Sequence, residues 1–132
     1  MNTSESLMQG FEHETLDAAK FTHRDHVAVA YELLRRHSFL EASARYGSCL
    51  QTIATKAGAA QKFNTTVTLA FLGLIAERME NADTETFETF IADNRDLLDR
   101  SPLDRWYTQD RIGSDLAKRI FLLPDKSPIE AP

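Results

Sequence analysis

Along most of the chain apolar residues recur at steps of three and four, and no segment keeps a strand's strict alternation. In "FTHRDHVAVAYELLRR" the stripe is Val27, Ala30, Tyr31 and Leu34. Thr22 precedes it as an N-cap, with Asp25 three residues on, as in a capping box. A first helix is expected over about 23–36. Ser38 and Glu41 open a second, whose stripe is Phe39, Ala42, Tyr46, Leu50, Ile53, Ala54 and Ala57. Gly58 stops it, which gives about 39–57.

The third helix, about 64–80, is apolar almost all round from Leu69 to Ala76, the pattern of a bundle's central helix. The run Thr65, Thr66, Val67, Thr68 lowers helix propensity locally. Thr84 is the expected cap of a fourth helix, about 85–98, with Phe87, Phe90, Ile91, Asn94, Leu97 and Leu98 inward. Ser101, Pro102 and Asp104 start a short helix carrying Trp106 and Tyr107. Ser114 starts a last one with Leu116, Ile120 and Phe121, ended by Pro124. Residues 1–10 are polar and lack periodicity, so a flexible N-terminal tail is expected. Residues 11–125 read as a single helical domain and 126–132 as a C-terminal tail. The expected fold class is all-α: a four-helix core with short additional terminal helices, its short connections favouring antiparallel neighbours.

At 132 residues the chain suits one domain with a core that needs no staples. Its single cysteine, Cys49, cannot form an internal disulfide, which fits a reducing, cytoplasmic setting. The first thirty residues show no signal peptide, and the longest nearly apolar window, Val67 to Ala76, is half a membrane span. A net charge of −5 with scattered Lys and Arg argues against nucleic-acid binding. The expected partner is a small-molecule substrate or ligand, with no nucleic acid and no membrane; a homodimer stays open.

Two histidines, His23 and His26, sit three apart in the first turn of the first helix and continue its apolar stripe. Bundle interiors are where ligand and metal sites are built. A helix N-terminus also favours the neutral imidazole, which can act as a base, accept a hydrogen bond or bind a metal. The plain alternative is a pair of partly exposed polar residues at a helix start. His13 and His37 read as surface residues, and Cys49 as a small core residue. The sequence contains no phosphate-binding glycine loop, nucleophile elbow or dinucleotide fingerprint.

Three segments, "FTHRDHVAVAYELL", "KFNTTVTLAFLGLI" and "WYTQDRIGSDLAKRIFLLPD", together resemble a family of small, mostly uncharacterised bacterial all-helical proteins. That family's pattern is a Phe/Trp-x-His-x-x-His-Leu helix start, a Tyr-His-Glu-Thr-Ile-Thr segment, a late Tyr-Tyr-Ser and a Pro-Asp ending. Phe21, His23 and His26 match the first motif, with Val27 in the place of Leu. Phe63, Thr66 and Thr68 match the second, but Asn64 replaces its His and Thr65 its Glu. Tyr107 matches the late Tyr, Trp106 and Thr108 replace its neighbours, and Pro124 and Asp125 match the ending. The family pattern implies enough ligands for a metal centre or a proton relay. Asparagine cannot titrate and is a poor ligand for a zinc-like ion, so no metal and no cofactor are expected here.

Asn64, Thr68, Phe71 and Ile75 share a face of the third helix. If the first and third helices are neighbours, His23 and His26 face Asn64 and Thr68, and Trp106 or Tyr107 closes the site. That is the make-up of a small-molecule pocket; the alternative is a buried polar network that fixes helix register. The leading expectation is a metal-independent enzyme using His23 and His26 as acid or base in an elimination, isomerisation or cyclisation. Substrate contacts would come from Asn64, Thr68, Phe71, Trp106 and Tyr107. The alternatives are a non-catalytic ligand-binding or accessory protein, and a metal-binding protein using His23, His26 and possibly His13.

Overall fold

The start signals read from the sequence act as caps. In the structure, a computed structural model describing residues 3–13, 15–83, 85–99 and 102–126, Thr22 accepts from the Asp25 amide at 3.2 Å and the Asp25 carboxylate accepts from the Thr22 amide at 3.0 Å. This box opens helix α2 (His23–Arg36). Ser38 accepts from the Glu41 amide at 3.2 Å and opens α3 (Phe39–Lys56). Past the end of α3, Gly58 takes φ +73, a left-handed conformation that favours glycine. Its amide donates to Thr55 O and the Ala59 amide to Ala54 O, the paired bonds of a Schellman ending. Asn64 caps α4 (Thr65–Glu80). The described residues form helices and 3-10 turns, with no strand among them, and no helix is long and apolar enough to cross a membrane.

The expected N-terminal tail is replaced by a helix. Residues Thr3–Glu12 form α1, which packs chiefly on α2. Ser4, Met8 and Phe11 are buried and Leu7 lies against the core, a four-residue stripe within ten residues. A Cβ on Gly10 would lie 2.9 Å from the Leu16 side chain, so glycine there lets the chain fold back across α1.

The central helix is also not the expected one. In α2 every residue from Val27 to Leu33 is buried, Glu32 included. In α4 only Thr66, Thr68, Leu72 and Ile75 are. The packing of α1, α3, α4 and the turn at residues 95–98 around α2 accounts for the exchange. Burying Glu32 requires partners. The Ser4 hydroxyl donates to Glu32 Oε2, and Arg36 donates to Oε1 at 3.2 Å while also lying 3.4 Å from Glu5.

The fourth expected helix is interrupted. Thr86, accepting from the Thr89 amide, caps α5 (Phe87–Asp93); Thr84 lies outside the described residues. Asn94 then leaves helical geometry (φ −135, ψ 47), and its side-chain amide takes the Phe90 carbonyl at 2.9 Å. Arg78 holds the break by donating to Asn94 and, through two nitrogens, to Asp96. The 3-10 turn Arg95–Leu98 follows and buries Leu97.

Pro102 to Arg105 form a 3-10 turn, and Ser101 lies outside the described residues. Thr108 caps α6 (Gln109–Ile112) and Ser114 caps α7 (Asp115–Arg119). The segment after α7 is tied back to residues 104–111. The Tyr107 hydroxyl donates to Leu122 O at 2.8 Å and Arg111 Nε to Leu123 O at 2.7 Å. Asp125 accepts from the Thr108 amide at 2.8 Å and the Thr108 hydroxyl at 2.7 Å.

Two outcomes follow from this packing. Phe11→Ala should cost about 3 kcal/mol in urea denaturation, because the ring is fully buried; a frayed tail would give no change. The Thr108 bonds hold the Asp125 carboxyl below its usual pKa of 3.8. Its folded value lies under its unfolded one, so its contribution is complete above the unfolded pKa and is lost as pH falls through the folded one. Asp125→Asn should flatten that part of the acid limb of a Tm-against-pH curve.

Candidate functional site

A cavity of about 650 Å³ lies between the start of α2, the length of α3 and the start of α4. The apolar wall comes from α3 and its C-cap, where Leu50, Ile53, Ala54 and the capping Ala57 repeat at helical spacing. Val67 and Phe71 of α4 stand opposite, with Phe63 before them. Thr22, Lys62 and Val67 are exposed and mark the rim.

His23 and His26 both line this space. His23 Nε2 is 3.0 Å from Leu97 O. A carbonyl can only accept, so Nε2 carries a proton, and in the neutral ring Nδ1 holds the lone pair. The ring meets Phe71 edge-on, with centroids 5.5 Å apart. His26 meets Phe21 in the same way at 4.3 Å. Phe21 stacks on Phe11 at 5.8 Å, and Phe11 on Tyr46 at 5.6 Å. The core of α1 therefore supports the histidine end of the cavity.

Asn64, Thr68 and Phe71 line the cavity beside the histidines, so the structure brings five of the seven expected residues together. The polar atoms of two are already engaged. Asn64 Oδ1 accepts from the Val67 amide at 2.9 Å, and Nδ2 donates to Ile112 O at 2.7 Å. The Thr68 hydroxyl donates to Asn64 O at 2.8 Å. Their first role is to build the start of α4. Thr65 and Thr66 extend it, donating to Lys118 O at 2.8 Å and Ile120 O at 2.7 Å. Thr66 also accepts from the Leu122 amide at 3.0 Å. The segment "NTT" is thus a clamp on the chain around α7.

Trp106 and Tyr107 do not close this cavity. They line a smaller one of about 270 Å³ with Ala70, Gly73 and Leu74, on another face of α4. The reason is the C-terminal tie: the Tyr107 hydroxyl is drawn to Leu122 O and Trp106 O to the Lys126 amide. Leu103 borders both spaces.

Tyr46 and Lys62 line the cavity although the sequence did not single them out. Tyr46 is buried, and its hydroxyl has no hydrogen-bond partner among the described residues. Burial pushes the phenol's pKa up, so it remains a donor. The available sequence clue was a tyrosine in a stripe where phenylalanine would pack as well. His13 is exposed and His37 partly so, and Cys49 packs against the core. Among the described residues no group of three or more His, Cys, Asp or Glu could hold a metal ion.

Fold and site define an all-α protein with an apolar cavity flanked by imidazole and phenol. Comparison of the chain with protein-family models, with curated proteins and with solved structures finds no match.

The clamp has a measurable weight. Thr66→Val keeps the side chain's shape but strips a carbonyl and a buried amide of their partner. Urea denaturation should show a loss of about 2 kcal/mol. Thr65→Val, at a less buried site with one bond, should cost less.

Proposed function

We propose that the protein binds a small organic molecule in the cavity between α2, α3 and α4. One observation carries this reading: a space of about 650 Å³ with apolar walls from three segments and a few polar groups on its lining. That size and composition are typical of small-molecule sites. Because Asn64 and Thr68 are engaged with the backbone, most of the affinity would come from apolar burial. His23, His26 and Tyr46 would give orientation.

A second reading is metal-independent acid–base catalysis at His23. Its support is the Leu97 carbonyl, which fixes the proton on Nε2 and leaves Nδ1 as the basic atom.

The test is titration with the neutral reporter N-phenyl-naphthylamine, whose fluorescence rises in apolar sites. Saturable, stoichiometric binding is expected. Ala54→Phe, which fills the wall, should weaken it at least about 10-fold while thermal unfolding stays cooperative. Unchanged binding in that variant would place the ligand elsewhere. For catalysis, His23→Ala should keep reporter binding and abolish turnover of any substrate found. Stoichiometric metal in the purified wild type, lost in His23→Ala/His26→Ala, would overturn the metal-independent reading.

A further inference from the structure

The polar lining of the cavity has one sign. No aspartate or glutamate is among the described residues that line it, and its single formal charge is Lys62. The whole chain, by contrast, carries a net charge of −5. Four of the fifteen Lys and Arg, namely Arg24, Arg36, Arg45 and Arg78, are paired with carboxylates at 2.7–3.4 Å. Lys62 forms no ion pair with a described residue. The Asp25 carboxylate is not part of the lining and accepts from the Thr22 amide at 3.0 Å.

The remaining polar groups agree with that sign. The Tyr46 hydroxyl is a donor with no hydrogen-bond partner among the described residues, and it is open to solvent although the ring is buried. The imidazoles of His23 and His26 are neutral or cationic, never anionic. No lining group among the described residues carries a formal negative charge, so a cation would meet only the aromatic faces of Phe21, Tyr46, Phe63 and Phe71.

Shape adds a direction. Lys62 stands at the exposed rim, shortly after Ala57, the C-cap of α3, and Tyr46 lies eleven residues before Ala57. At 1.5 Å per residue, the wall from Ala57 to Tyr46 is about 16 Å long. Between them it is apolar: Leu50, Ile53 and Ala54.

Resting on the ligand-binding reading above, we propose that the occupant is an organic carboxylate with an extended apolar body. Its carboxylate meets Lys62 at the rim, and its body lies along α3 towards Phe21 and Tyr46. The apolar wall supplies affinity, and Lys62 supplies the choice of anion over neutral or cationic analogues.

The experiment is displacement of the neutral reporter by decanoate, decanol and decylamine. It is repeated with phenylbutanoate and phenylbutanol, so that one body shape does not decide the result. Decanoate should bind about 5- to 10-fold more tightly than decanol, and decylamine more weakly than both. The preference should shrink as salt rises. Lys62→Met should remove it, bringing decanoate and decanol to equal affinity. Equal or tighter binding of the alcohol or amine would overturn this inference and leave the cavity reading intact. So would reporter binding that no carboxylate displaces. A preference that survives in Lys62→Met would overturn the role of Lys62. Failure of the reporter itself to bind would remove the cavity reading, and this inference with it.

Discussion

A carboxylate with no access to solvent organises this molecule. Glu32 sits in the middle of a run of buried residues on α2, and its charge is met by the Ser4 hydroxyl and the Arg36 guanidinium. Because a buried carboxylate needs both oxygens satisfied, the Ser4 hydroxyl that α1 brings to Oε2 complements the Arg36 guanidinium that α2 itself supplies to Oε1. Once α1 is docked, Phe11 stacks between Phe21 and Tyr46, and Phe21 meets the His26 ring. An electrostatic requirement near the end of α2 is thereby linked, through aromatic packing, to the cavity at its start.

A second constraint acts at the other side of the cavity. Asn64, Thr65 and Thr66 spend their side chains on the carbonyls of Ile112, Lys118 and Ile120. The β-branched run that weakens helix propensity is the run that fastens the chain around α7. The same residues start α4 and set where Val67, Thr68 and Phe71 face the cavity. Asn64 suits this work because an amide can accept from the Val67 N–H and donate to Ile112 O at once.

The cavity thus has walls held by two independent devices. Its apolar side is simple helical spacing on α3. Among its polar groups the commitments differ in kind. His23 is oriented by a single backbone carbonyl, Asn64 is held at both ends of its amide, and the Tyr46 hydroxyl meets no described partner. Those differences separate side chains that the fold holds at both ends from those it holds at one end or at none.

The all-α class was legible in the sequence, as were the starts of α2, α3, α4 and α7, because caps and apolar periodicity are local. The grouping of His23, His26, Asn64, Thr68 and Phe71 was legible for a similar reason, since helical spacing assigns each to a face. The helix α1 was missed because its stripe is short and its polar residues resemble a tail; Ser4 gains meaning only from Glu32, twenty-eight residues away. The break at Asn94 was missed because its cause, Arg78, lies on another helix. Trp106 and Tyr107 were drawn to the wrong cavity because Leu122 and Lys126 decide where they point. Local hydrogen bonding and periodicity are written in neighbouring residues, whereas which helix is central, and which polar atoms remain uncommitted, depends on partners that only the folded chain brings together.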